Sequence, residues 1–203
     1  MPTRIYSKVL RLVDLQGAFF VRQVFFMESK VIIDEQTMVR TLARLSHEII
    51  ERNPDGQTVY LVGIKRRGVP IAKILKENIE RFSDMQVELG ELDITLHRDD
   101  LSHPHFSSDI NKSIINFDVN EKNIILVDDV LFTGRTARAA MDALIKMGRP
   151  AVIQLAVMID RGHRELPICA NYVGKNVPTS KDEFIKVCVD EFDQKTQVVI
   201  MKR

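Results

Sequence analysis

The chain has 203 residues, 45% of them apolar and 28% charged, with a net charge of +1. That balance is typical of one globular domain with a sizeable core, and a charge so near zero leaves any nucleic-acid surface to a local basic patch. Cys169 and Cys188 lack metal or redox spacing, so reduced thiols in a cytosolic protein are the simplest account.

Residues 1–26 stand apart from the rest. Arg4, Lys8, Arg11 and Arg22 interleave with apolar residues, and no uncharged span is long enough to cross a bilayer. A targeting peptide is one account. The preferred one makes 1–26 an atypical extension, without fixed structure or upstream of a true start at Met27, and 27–203 the domain.

From Asp34 to Asn53 the pattern predicts an amphipathic helix, with Asp34 as N-cap and Met38, Leu42, Leu45 and Ile49 on the buried face. Its other face is basic, carrying Arg40, Arg44, His47 and Arg52, and such a face is usually just solvated. His47-Glu48 does not open a zinc helix, because Glu51 stands where the second histidine is needed.

Thr58 to Ile64 predicts a buried strand. It ends in Gly63-Ile64-Lys65-Arg66-Arg67-Gly68, three cations in a glycine-bounded turn before a helix from Val69 to about Arg81. At a strand's carboxyl end that turn is either a basic surface turn or an anion site. Gly63 and Gly68 have the spacing of a nucleotide-triphosphate loop, but Val69 and Pro70 follow where Lys and Ser or Thr are required. No two glycines stand two apart, which removes the dinucleotide fingerprint.

After a strand ending near Thr95 comes LHRDDLSHPHFSSDINKSIINFDVNEK, too polar and too long for a simple connector. It reads as a flap. His97, His103 and His105 lack partners at ligand spacing and make a weak metal cluster.

The most informative segment follows, Asn123 to Thr136, NIILVDDVLFTGRT. Ile124 to Val127 are apolar without alternation, as in a strand buried on both faces of a parallel sheet. Asp128 and Asp129 are expected to leave the sheet there, and Thr133, Gly134, Arg135 and Thr136 to turn into a helix whose free N–H groups suit a phosphate. Gly148 and Pro150 stop that helix, and Ala151 to Ile159 supplies another strand. The turn Asp160-Arg161-Gly162-His163-Arg164-Glu165 could be a salt-bridged surface turn and nothing more.

VDDVLFTGRT resembles the sugar-phosphate motif of the type I phosphoribosyltransferases. The resemblance implies an α/β fold of one domain, a mostly parallel twisted sheet flanked by helices, with a small hood and a flexible loop. It implies that Asp128 and Asp129 face the ribose hydroxyls of phosphoribosyl pyrophosphate, and that Leu131, Phe132, Thr133, Gly134, Arg135 and Thr136 cradle its 5-phosphate. Lys65, Arg66 and Arg67 then hold the pyrophosphate, and Arg98, Asp99 and Asp100 of the flap close on it. Magnesium enters through the substrate, with Asp128 and Asp129 as possible ligands.

DRGHRELP, with NYVGKNVPTS after it, is similar to the pyrimidine-regulating branch of that superfamily, over about Val31 to Val199. That branch joins uracil phosphoribosyltransferase activity to uridine-nucleotide-dependent binding of pyrimidine-operon messenger RNA. The resemblance implies a cytoplasmic homodimer or homotetramer without membrane attachment. Backbone from Met158, Ile159 and Asp160, with Arg161, would read uracil. Arg44, His47, Arg52, His163, Arg164 and Lys175 match an RNA surface. The chain departs from it at Ala43, where a threonine is common, and at Cys169, where an arginine contact is expected, which weakens attraction to RNA. A uracil enzyme without RNA binding and an RNA-binding nucleotide sensor without catalysis therefore stay open, and a purine enzyme is a weaker alternative.

Overall fold

The computed structural model describes residues 11–13, 19–21, 28–53, 58–94 and 113–202. Arg98, Asp99, Asp100 and the three flap histidines lie outside the described residues. Two short strands, β1 (Arg11–Val13) and β2 (Phe19–Val21), pair antiparallel with each other. Then come β3 (Glu28–Ile33), α1 (Glu35–Arg52), β4 (Val59–Ile64), α2 (Gly68–Phe82), β5 (Val87–Leu92), β6 (Asn123–Leu131), α3 (Arg135–Met147), β7 (Val152–Asp160), β8 (Tyr172–Asn176), β9 (Glu183–Cys188), α4 (Asp190–Asp193) and β10 (Gln197–Lys202).

The central sheet has five parallel strands in the order β5-β4-β6-β7-β8. Parallel strands need crossover helices, and these lie on both faces. On one face Met38, Leu42, Leu45 and Ile49 of α1 and Ile71, Leu75 and Ile79 of α2 meet Leu61, Ile125, Val127 and Met158. On the other, Ala137, Ala140 and Leu144 of α3 meet Val62, Ile124, Leu126 and Val157. Ile124 to Val127 are each at most 1% exposed, as their unbroken apolar pattern predicts for a strand covered twice. A smaller antiparallel sheet, β3-β10-β9, draws on both ends of the folded chain and forms the hood.

Asp34 caps α1, its Oδ1 accepting from the Thr37 N–H at 2.8 Å. One expectation needs correcting: Asp128 and Asp129 do not leave the sheet. β6 continues through both to Leu131, because β7 stays alongside it, pairing Val157 with Asp128 and Asp160 with Leu131. On its other side β4 pairs with β6 only as far as Gly63 with Val127. β4 thus stops while β6 goes on, and a crevice opens between them where the strand order switches direction.

Gly68 seals the floor of that crevice. A Cβ there would stand 2.2 Å from the Val127 carbonyl oxygen and 3.3 Å from the Asp128 Cα. Only a residue without a side chain lets the start of α2 approach β6 so closely. Gly68→Ala should therefore lower stability by roughly 1–3 kcal/mol. A urea midpoint equal to that of the parent protein would refute this.

Candidate functional site

Two loops and two strand ends converge on the crevice. Past β6 the chain runs Phe132-Thr133-Gly134 into α3, and Gly134 has φ 92°, a left-handed conformation that favours glycine. Gly134, the N-cap residue, has no side chain to cap the α3 N-terminus. The Arg135 N–H donates to Thr133 Oγ1 at 3.4 Å, and the other first-turn N–H groups, with the positive end of the dipole, suit an anion. They open on a cleft of about 330 Å³ lined by Asp128, residues 130–137, Leu155, Val157 and Glu165. The sequence-predicted residues Leu131, Phe132, Thr133, Gly134, Arg135 and Thr136 all line it.

The two aspartates take different positions. By the period-two alternation of a strand, Asp128 falls with Ile124 and Leu126 on the α3 face, and Asp129 with Ile125 and Val127 on the α1/α2 face. Asp128 lines the cleft, and its Oδ1 accepts from the Asp129 N–H at 2.9 Å. Burial pushes the Asp129 carboxyl above the usual range, against hydrogen bonding with Asp128 and the Val130 N–H and the charge of Arg67.

Lys65, Arg66 and Arg67 form the turn between β4 and α2, on the β4 side of the crevice. The Lys65-Arg66 peptide is cis. Lys65 Nζ lies 3.7 Å from Glu91, and Arg66 is exposed. Arg67 is held from the hood: its Nη2 donates to both carboxylate oxygens of Asp193, at 3.1 and 3.2 Å. Asp193 also receives Lys186 at 2.5 Å and the Val189 N–H at 3.2 Å. Burial works to raise its pKa, but Lys186, Arg67 and that N–H outweigh burial and hold the carboxyl down to about 2. Asp193 went unnoticed in the sequence because it stands 126 residues from its partner in a four-residue helix with no distinguishing pattern.

Beyond β7 the turn is salt-bridged, and it also frames the cleft. Met158 and Ile159 are fully buried in the core, so their side chains take no part in the site. Asp160 accepts from Arg164 and from the Gly162 N–H; burial raises its pKa, and these two partners bring it below the usual value. Arg164 also donates to the carbonyls of Phe132 at 2.8 Å and Ile168 at 2.9 Å. It therefore braces the loop between β6 and α3 from behind. Arg135 pairs with Glu165 at 2.7 Å across the mouth of the cleft.

Arg161 is only 5% exposed. Its Nε donates to Thr179 Oγ1 at 3.0 Å and its Nη2 to the Glu183 carbonyl at 2.7 Å, while the guanidinium lies 4.0 Å over the Phe132 ring. Burial pulls its pKa below the usual arginine value, and Glu183 opposes this.

The residues matched to an RNA surface fall into two groups. Arg44 is exposed along α1 and donates to the carbonyls of Val173 at 3.0 Å and Gly174 at 2.6 Å. Arg52 reaches the Asn171 carbonyl at 3.0 Å, and His47 stacks on Phe82 at 4.6 Å. His163 and Arg164 belong instead to the turn beyond β7, where His163 Nε2 donates to the Thr179 carbonyl at 2.5 Å. Lys175 alternates with Gly174, which meets Thr41 of α1, and so points to the opposite face of β8. Ala43 is half-buried and Cys169 exposed.

The Phosphoribosyl transferase domain family matches residues 29–192. A protein of Caldicellulosiruptor bescii named Bifunctional protein PyrR is 58% identical over 171 residues, covering 84% of this chain and 94% of that one. A protein of the same name in Clostridium novyi is 56% identical over 178 residues, covering 87% and 100%. A crystal structure of a hypoxanthine-guanine phosphoribosyltransferase from Bacillus anthracis superposes with a TM-score of 0.61 at 19% identity, over 88% of this chain and 100% of that one. At that identity the likeness concerns the fold alone.

The Asp193 pairing makes stability depend on pH. Its folded pKa of about 2 lies below the ordinary 3.8, so its contribution is complete above about pH 4 and is lost as the pH falls through 2. Asp193→Asn should be less stable at neutral pH and lose less stability between pH 4 and 2. Parallel urea-stability profiles for the two proteins over that range would rule the pairing out.

Proposed function

The chain belongs to the phosphoribosyl transferase domain family and within it to the PyrR group, and from that premise we propose that it joins uracil to phosphoribosyl pyrophosphate, giving UMP and pyrophosphate. Its fold is the type I phosphoribosyltransferase fold. The observation that carries the proposal is the α3 N-terminus facing a cleft that the β6 carboxylate Asp128 lines. A phosphate fits the first, and the hydroxyls of a ribose fit the second.

The chemistry is charge management. As the bond from the anomeric carbon to pyrophosphate breaks, positive charge grows on the sugar and negative charge on the leaving group. Asp128 and Asp129 fix the hydroxyls and favour the cationic ring, while residues 65–67 stabilise the departing anion. Uracil N1 attacks the anomeric carbon as pyrophosphate leaves and its proton passes to the departing pyrophosphate, with the backbone from Met158 to Arg161 at the end of β7 proposed to read the base. No covalent nucleophile on the protein is required.

Phosphoribosyltransferases generally use magnesium with the sugar donor. Asp128, which lines the cleft, offers hard oxygen donors of the kind magnesium takes, and with its neighbour Asp129 it would be the residue to hold the ion beside the substrate. Bound there, the ion would neutralise charge developing on the pyrophosphate.

The same proposal includes uridine-nucleotide-dependent binding of pyrimidine-operon messenger RNA, by a cytoplasmic homodimer or homotetramer. What supports the RNA surface is the exposed α1 face, where Arg44 is steadied by carbonyls of β8 and Arg52 by the Asn171 carbonyl just before it, and both remain open to solvent. No helix among the described residues is long and apolar enough to cross a membrane.

Asp128→Asn with Asp129→Asn should lower kcat/KM for phosphoribosyl pyrophosphate by about 10²-fold or more. Undiminished pyrophosphate release with uracil would sink the site. Replacing Arg44 and Arg52 by Ala should weaken retention of a pyrimidine leader transcript and reduce the salt slope by about one unit for each phosphate no longer engaged. Uracil turnover should be unchanged by those two replacements; an unaltered salt slope would remove α1 from the RNA surface.

A further inference from the structure

We propose that Asp193 is a positioning residue for the reaction, holding Arg67 at the crevice so that its guanidinium serves the leaving pyrophosphate. The inference rests on the assignment of residues 65–67 to pyrophosphate and extends it to the hood, which no sequence motif connects to the site.

Three observations meet at this pair. Arg67 occupies the residue before Gly68, whose backbone is pressed against the Val127 carbonyl, so its main chain has little freedom. Its side chain is 29% exposed and is fixed through Nη2 on both oxygens of Asp193, while Nη1 has no partner among the described residues. A guanidinium held along one edge keeps its other donors in the fork geometry that phosphate accepts. Asp193 is in turn only 10% exposed and is itself fixed by Lys186 and the Val189 N–H, so it is a rigid anchor.

The arrangement also keeps two charges apart. The Arg67 charge already acts on Asp129, which the proposed mechanism reserves for ribose hydroxyls. Without Asp193 the guanidinium is released to settle on that carboxylate, which would remove a cation from the pyrophosphate side and an acceptor from the sugar side together. The loss would fall on the sugar donor and spare uracil.

Steady-state kinetics of Asp193→Ala and Asp193→Asn test this with Arg67→Ala and the double variant Arg67→Ala/Asp193→Ala beside them. The KM for phosphoribosyl pyrophosphate should rise about tenfold in Asp193→Ala with the KM for uracil unchanged, and Asp193→Glu should recover part of it. The double variant should be no worse than Arg67→Ala alone, since residues acting as a unit are non-additive. Lys186→Ala removes one of the two holds on Asp193 and should raise the KM for phosphoribosyl pyrophosphate by less than Asp193→Ala does. Should Asp193→Ala not fold by circular dichroism, Asp193→Asn carries the same comparison.

An unchanged KM for phosphoribosyl pyrophosphate in the folded Asp193 variants, or losses that add in the double variant, would overturn the inference. So would equal loss for both substrates in step with a lowered urea midpoint. A parent protein that does not turn over uracil defeats the proposed function instead. Calorimetric binding of phosphoribosyl pyrophosphate then decides the positioning role, which falls if Asp193→Ala binds as tightly as the parent.

Discussion

β6 outlasts β4 by several residues, and the consequences spread through the whole carboxyl edge of the sheet. β4 ends its pairing at Gly63 opposite Val127, while β6 runs on beside β7 to Leu131. The mismatch exposes one side of the strand carrying Asp128 and Asp129, and the close approach of Gly68 to Val127 brings the Lys65 to Arg67 turn against that side. Were the two strands of equal length, the cationic turn and the carboxylates would be separated by sheet hydrogen bonding. Unequal strands create the site before any side chain contributes to it.

Around that opening, charge is distributed by connection to the frame. Arg67 is tied to the hood, Arg164 to the back of the loop between β6 and α3, and Arg135 to Glu165 across the mouth. None of these cations depends on the surrounding solvent for its position. Preorganised charge of this kind is worth more in a cleft than mobile charge, because little reorganisation accompanies the reaction. Two of these ties, Arg164 to Phe132 and Arg135 to Glu165, fasten the turn beyond β7 to the loop after β6, and the third comes from the hood.

Much of this was legible in the sequence, for physical reasons. α1 declares itself through Asp34 and the spacing of Met38, Leu42, Leu45 and Ile49, and β6 through an apolar run that only a doubly covered strand needs. The TGRT loop could be read because its requirements, a glycine of positive φ and a fresh helix end, are local. What could not be read is non-local. The persistence of β6 through its aspartates is decided by β7, and Asp193 by a partner 126 residues away. Arg164 shows a subtler failure, since a cation in a polar turn looks solvated until the carbonyls it reaches are seen.

Arg161 is bound to the segment 179–183 on one side and lies over Phe132, in the loop after β6, on the other. One side chain therefore couples the chain entering β9 to the loop leaving β6. That makes position 161 a costly place for change: any replacement releases the 179–183 segment and the Phe132 ring together.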